Sequence, residues 1–133
     1  MDFLQKNLNH TFLLRLALAV IMVMHGVTSF LNMSVLDFGK GMEELFAFMG
    51  TPIAILVKAI HVISIPALLL NRYLKPLAVL NIIIFAMGIL LVHGRNGWYV
   101  VGGGTNGIEF NFLLIFCFLT LLFPGGLVKK TAE

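Results

Sequence analysis

Long apolar runs separated by short polar segments dominate the chain. Four of them cover residues 11–33, 51–70, 74–93 and 108–123. At a rise of about 1.5 Å per residue, these runs match or approach the length that a helix needs to cross a hydrocarbon layer of about 30 Å. No run shows the two-residue alternation of a barrel strand. The pattern therefore predicts four transmembrane helices, which satisfy their own backbone hydrogen bonds in lipid.

Residues that favour turns and helix ends lie between these runs. Thr51-Pro52 predicts an N-cap followed by proline in the first turn of the second helix. Pro66, inside that helix, predicts a kink. Pro124 and the two glycines after it close the fourth run. Residues 41–50 combine apolar and acidic side chains, which predicts a short interfacial helix or a re-entrant segment in the first outer loop.

Composition supports a membrane protein. Of 133 residues, 59% are hydrophobic and 11% are charged, whereas roughly a quarter of the residues of a soluble domain are charged. This excludes a soluble globule, a disordered chain and a nucleic-acid-binding domain. The single cysteine, Cys117, excludes a disulfide framework and a clustered-cysteine metal site. We therefore expect one all-α integral membrane domain, a four-helix bundle spanning residues 1–133.

The basic residues that flank the predicted helices indicate the topology. Two, Lys40 and Arg95, lie in the predicted outer loops. Six lie at the other ends of the helices: Lys6, Arg15, Arg72, Lys75, Lys129 and Lys130. Because cytoplasmic loops carry an excess of Lys and Arg, we expect both termini to be cytoplasmic. We also expect no cleaved signal peptide.

Polar residues at membrane depth normally face the interior of a bundle, because they are costly in lipid. Helical spacing places them on three stripes. The stripes are Leu18, Met22, His25 and Ser29; Lys58, His61 and Ser64; and Glu109, Leu113, Phe116 and Thr120. We expect each stripe to form an inner face. For Arg15, one turn inside the cytoplasmic boundary, we expect snorkelling to the headgroups rather than a buried partner.

Several polar residues share the outer half of the predicted bundle. By helical rise, His61 lies near the bilayer midplane and His25 lies above it. We expect an outward-opening pocket whose ligand-binding residues are His25, Ser29, Lys58, His61, His93 and Glu109. One alternative is a dry network of interhelical hydrogen bonds. Another is a divalent metal on His25, His61, His93 and Glu109. The metal is less favoured, because no two histidines share a helical spacing of three or four residues. Hydrogen bonding to a quinone or quinol requires less geometry.

Four segments resemble the DoxX family of small four-helix bacterial membrane proteins, in order from residue 15 to 126. They are the Arg15 segment leading to His25-Gly26, the Gly50-Thr51-Pro52 entry to the second helix, the turn at residues 70–75 with the helix ending at His93, and the Gly102 to Glu109 region with Pro124-Gly125-Gly126. The family often has a lysine after the His-Gly pair and a glutamate in the second helix. This chain has Thr28-Ser29 and His61 there, which replaces a basic-acidic pair by neutral or imidazole groups.

The resemblance implies a membrane subunit associated with oxidoreductases, some of which oxidise thiosulfate or quinol or defend thiols. We expect a subunit of the bacterial cytoplasmic membrane that supports a quinone-linked oxidoreductase without being catalytic alone. Its partners would be the lipid bilayer and other membrane subunits or further copies of the chain, and not nucleic acid. Two other roles stay open: a non-enzymatic structural or assembly subunit, and a small-metabolite or metal carrier.

Overall fold

A computed structural model of the chain describes residues 3–128. Every regular element of the described part is a helix, with 78% helix and no strand. The described part divides into two compact units, which meet in the sequence between Tyr73 and Leu74. The predicted all-α class is confirmed. Lys129 and Lys130, which entered the topology prediction, lie outside the described residues.

The first unit contains four helices. They are α1 (Phe3–Asn7), α2 (Phe12–Leu31), α3 (Ser34–Phe46) and α4 (Gly50–Leu70). A 3₁₀ turn, Ala47–Met49, joins α3 to α4. Both α2 and α3 pack against α4. The first unit is therefore built around α4.

Helix α3 is longer than the segment that the sequence predicts. It begins at Ser34 rather than near Gly41. Val35, Gly39 and Met42 are buried, and this spacing of four and three residues places them on one face of the helix. The charged residues of α3 are exposed: Asp37, Lys40, Glu43 and Glu44. The helix is therefore amphipathic and lies along α4 on its apolar face.

The contact between α3 and α4 corrects the predicted cap. The residue before α4 is Met49, and no side chain caps the helix. The Thr51 hydroxyl instead donates a 3.0 Å hydrogen bond to Glu43 Oε1. The prediction that Thr51 caps the second helix was wrong, because its hydroxyl is used to join α4 to α3.

The second unit contains two helices, α5 (Leu74–Asn96) and α6 (Glu109–Leu122), which pack together. The rings of Phe85 and Phe118 stack with centroids 6.0 Å apart. Asn111 Nδ2 donates to the Phe85 carbonyl at 3.3 Å.

The buried face of α6 differs from the predicted one. The buried residues are Leu114, Phe118 and Leu121, whereas Leu113 and Phe116 are more than half exposed. The predicted stripe from Glu109 to Thr120 is therefore not the inner face. Thr120 gave a misleading signal, because its hydroxyl bonds to the Phe116 carbonyl of its own helix at 2.9 Å and needs no inward position.

Three apolar helical segments are long enough to cross a membrane: Phe12–Leu31, Ser34–Leu70 and Leu74–Asn96. Helix α6 has 14 residues, a length of about 21 Å. That is shorter than a hydrocarbon layer of about 30 Å. The chain is a membrane protein, and the fourth crossing stays a prediction.

Arg15 joins the carboxyl-terminal ends of two helices in the first unit. Its side chain is fully buried. The guanidinium donates to the Leu68 carbonyl of α4 at 2.5 Å, to the Thr11 hydroxyl at 3.1 Å and to the Asn7 carbonyl of α1. The last carbonyls of a helix lack intrahelical donors and carry partial negative charge. The expectation that Arg15 snorkels to the headgroups was therefore wrong.

Candidate functional site: a histidine and lysine cluster in the first unit

A π-helical segment, Val23–Val27, interrupts α2 and contains His25. A π turn holds more residues than an α turn, so it shifts the residues after it around the helix axis. The predicted inner stripe placed His25 between Met22 and Ser29. In the structure Met22, Gly26 and Ser29 are buried, and His25 is exposed. Met22, Gly26 and Ser29 follow at spacings of four and three residues, so Gly26 rather than His25 completes the buried stripe.

Three side chains of the predicted site lie together beside this segment. They are His25 on α2 and Lys58 and His61 on α4. The charged Lys58 ammonium lies within electrostatic range of both imidazoles, and the two imidazoles lie within range of each other. His61 is 4% exposed and Lys58 is half-buried. The Lys58 ammonium lies 5.2 Å from the centroid of the Phe38 ring on α3, within the range of a cation–π interaction. We call these three residues the cationic cluster.

Gly26 sets how closely α2 approaches the cluster. A Cβ at Gly26 would lie 3.1 Å from His61 Cβ, 3.0 Å from Val62 Cγ2 and 3.2 Å from the Val62 backbone nitrogen. Only a residue without a side chain leaves these contacts unstrained. The glycine therefore brings the backbone next to His25 into contact with the helix that carries His61.

Gly26→Ala is expected to destabilise the protein by about 1–2 kcal/mol, because α2 and α4 must separate by a few tenths of an ångström. The measurement is the free energy of unfolding in mixed detergent micelles. Gly41→Ala is the control, since nothing lies within 4 Å of a Cβ at Gly41. Equal stability of the two variants would contradict the contact.

Ser29, the fourth predicted residue in this unit, bonds to a different partner. It is buried, and its hydroxyl lies 3.1 Å from the hydroxyl of Ser34. This bond spans the break between α2 and α3, where Met33 has a left-handed φ of 60°. The structure thus gives Ser29 a role in holding the two helices at this break.

His93 and Glu109 lie in the second unit, and both hold the loop at residues 94–107. His93 ends a second π segment, Ile89–His93, and its Nδ1 lies 2.9 Å from the Asn106 carbonyl. Because a carbonyl only accepts hydrogen bonds, Nδ1 carries the proton. Glu109 Oε1 accepts a 2.9 Å hydrogen bond from the Val100 N–H.

Backbone pairing also folds that loop onto itself. Ile108 and Glu109 donate to the carbonyls of Gly97 and Trp98 at 3.1 Å and 3.0 Å, and Gly107 donates to that of Tyr99 at 3.0 Å. A Cβ at Gly107 would lie 2.5 Å from two of these carbonyl oxygens. The glycines of this loop therefore permit a close chain reversal.

The structure thus brings together three of the six predicted residues. His25, Lys58 and His61 form the cationic cluster, while Ser29, His93 and Glu109 have hydrogen-bond partners of their own. The six-residue pocket stays a prediction. Among the described residues, no group of three or more His, Cys, Asp or Glu side chains is placed to hold a metal ion.

Comparison with known families identifies the chain. The DoxX family model matches residues 10–94, which is more than half of the sequence. The chain belongs to the DoxX family. The match includes α2, α3, α4 and nearly all of α5, so the cationic cluster lies within it. The Gly102, Glu109 and Pro124 segments of the resemblance lie beyond it. No curated protein and no solved structure matches this chain.

Two features of this DoxX protein were missed by sequence reasoning. One is the Arg15 network, to which Thr11 and Asn7 contribute. The Thr11-x-x-x-Arg15 spacing was a usable signal, because residues four apart are neighbours on a helix. The other is Gly26, which takes the buried position predicted for His25 between Met22 and Ser29.

Proposed function

We propose that this DoxX protein binds a quinone or quinol at the cationic cluster and serves as the membrane subunit of a quinone-linked oxidoreductase. In this proposal it is a four-helix bundle of the bacterial cytoplasmic membrane with both termini in the cytoplasm. Other membrane subunits, or further copies of the chain, provide the redox centres. The protein is not catalytic alone.

The observation that supports the proposal is the convergence of His25, Lys58 and His61, which lie on helices long and apolar enough to cross a membrane. All three can donate hydrogen bonds, and quinone carbonyl oxygens accept them. An ionisable residue in a membrane-spanning helix is costly and marks a ligand or proton pathway in many membrane proteins. Three ionisable side chains on adjacent faces of α2 and α4 are more than the packing of these helices requires.

The exposure of the cluster indicates the route of the ligand. His61 is buried, whereas His25 is exposed on α2 next to Met24, which is 61% exposed. Exposed apolar side chains on a membrane-spanning helix face lipid. A ligand that reaches His61 past His25 therefore comes from the lipid phase, which suits a lipid-soluble quinone better than a water-soluble metabolite.

A structural or assembly subunit is the second candidate. Arg15 and Ser29 favour it, since both are buried and bonded within the unit. Interhelical hydrogen bonds of about 0.6 kcal/mol are common in membrane proteins. In that role, substitution of Lys58 or His61 changes stability and no ligand binds.

Binding of a radiolabelled short-chain quinone to the purified protein in lipid nanodiscs tests the proposal. Lys58→Met and His61→Leu each remove a donor and are expected to weaken binding about tenfold, because a lost hydrogen bond to a charged or buried group costs about 1.5 kcal/mol. Circular dichroism confirms that both variants remain helical.

Two matched variants carry the same substitutions away from the cluster. Lys40→Met removes an exposed lysine whose ammonium lies 4.0 Å from Asp37, and His10→Leu replaces an exposed histidine. Both are expected to bind quinone as the wild type does. Equal affinity of all four variants, or no saturable binding by the wild type, would overturn the quinone site.

A further inference from the structure

Glu109 lies at a cavity that belongs to the second unit. The cavity has a volume of about 380 Å³ and is lined by Val100, Val101, Glu109, Phe110 and Leu113. This volume lies in the range of small-molecule sites. Four of its five lining residues are apolar, and the fifth is a carboxylate. The cavity therefore combines one negative charge with an apolar wall.

The negative charge of this cavity comes from Glu109. Glu109 is the only acidic residue from Leu74 to Val128 in the sequence. One of its oxygens, Oε1, accepts the Val100 N–H at 2.9 Å, which fixes the side chain at the first turn of α6. A carboxylate held in this way attracts a cation. An apolar wall beside it favours a cation that is attached to a hydrocarbon chain.

The surroundings place the cavity at headgroup level. The loop beside it exposes Trp98 and Tyr99, and these residue types concentrate at the membrane–water boundary. Below Glu109, Leu113 and Phe116 are 56% and 52% exposed on α6. A lipid whose headgroup binds at Glu109 can therefore place an acyl chain in contact with Leu113 and Phe116.

We propose that this cavity binds the ethanolamine headgroup of a phospholipid, with its ammonium paired to Glu109 and an acyl chain against Leu113. The primary ammonium supplies both positive charge and N–H donors to the carboxylate. The Glu109 carboxylate repels an anionic headgroup such as that of phosphatidylglycerol. This site is independent of the quinone site in the first unit.

Native mass spectrometry of the full-length protein tests the site. The protein is released from nanodiscs that contain equal amounts of phosphatidylethanolamine and phosphatidylglycerol, and the retained lipids are counted. We expect about a threefold preference for phosphatidylethanolamine, the size that a partly exposed ion pair gives. Nanodiscs with phosphatidylcholine, which has no N–H on its ammonium, should give weaker retention.

Glu109→Gln is the informative variant, because glutamine keeps an oxygen for the Val100 N–H and replaces the other carboxylate oxygen by an uncharged NH2 group. It is expected to abolish the preference while the protein keeps its helical content and quinone affinity. Glu44→Gln, an exposed acid on α3, is the matched control and should retain the preference. A preference that survives Glu109→Gln, or a wild type that retains all lipids equally, would overturn the proposal.

Discussion

Replacing Arg15 by methionine should destabilise the protein by about 3 kcal/mol or more, because three buried acceptors lose their donor and each unsatisfied buried acceptor costs about 1–3 kcal/mol. The Leu68 and Asn7 carbonyls and the Thr11 hydroxyl each accept a hydrogen bond from this guanidinium. Methionine fills a similar volume and donates nothing. The measurement is the free energy of unfolding in mixed micelles.

Two further variants separate the charge of Arg15 from its geometry. Arg15→Lys keeps the positive charge, but one ammonium cannot reach three acceptors arranged around a planar guanidinium. An intermediate loss is therefore expected. Arg72→Met is the matched control, because Arg72 is exposed beside the Tyr73 ring. If Arg15→Met and Arg72→Met unfold at the same denaturant concentration, the joining role of Arg15 is wrong.

Gly50→Ala should also cause a large loss of stability, of about 3 kcal/mol or more, because it forces backbone atoms apart. A Cβ at Gly50 would lie 2.4 Å from the Glu43 backbone nitrogen and 2.7 Å from Glu43 Cα. No change of side-chain rotamer relieves these contacts. Gly50 has an ordinary helical φ of −57°, so the close approach of α3 and α4 is the reason that glycine is needed.

The control for Gly50→Ala has the opposite expected sign. Gly41 lies exposed within α3, with nothing within 4 Å of a Cβ. Gly41→Ala should stabilise the helix by up to about 1 kcal/mol, because alanine has the higher helix propensity. Both free energies come from the same unfolding titration. Stability changes of the same sign and size would contradict the close packing of α3 on α4.

The helical class and the main apolar segments could be predicted from hydropathy alone. The predicted segment at residues 51–70 agrees with α4, Gly50–Leu70, because its apolar run has clear limits. The predicted end of the first segment at residue 33 was near the observed end of α2 at Leu31. The sequence predicted only the second part of α3, as an interfacial helix or re-entrant segment at residues 41–50, since the charged residues of α3 conceal the buried stripe of Val35, Gly39 and Met42.

The candidate site could be predicted only in part. The three-residue spacing of Lys58, His61 and Ser64 correctly indicated one face of α4, on which His61 and Ser64 are buried. The burial of His25 was predicted wrongly, because His25 and Gly26 both fit the helical spacing between Met22 and Ser29 and periodicity does not choose between them. The role of Arg15 depends on two helix ends that are remote in sequence, and depth along its own helix contains no information about them.

Photolabelling with an azidoquinone tests the quinone site most directly. The protein is illuminated with the probe in nanodiscs, digested, and the labelled peptides are identified by mass spectrometry. We predict labelling on α2 around His25 and on α4 between Lys58 and His61, which excess unlabelled quinone prevents. Lys58→Met should reduce the labelling, and Lys40→Met should not. Labelling confined to other parts of the chain, or unchanged in Lys58→Met, would contradict the assignment of the cationic cluster as the quinone site.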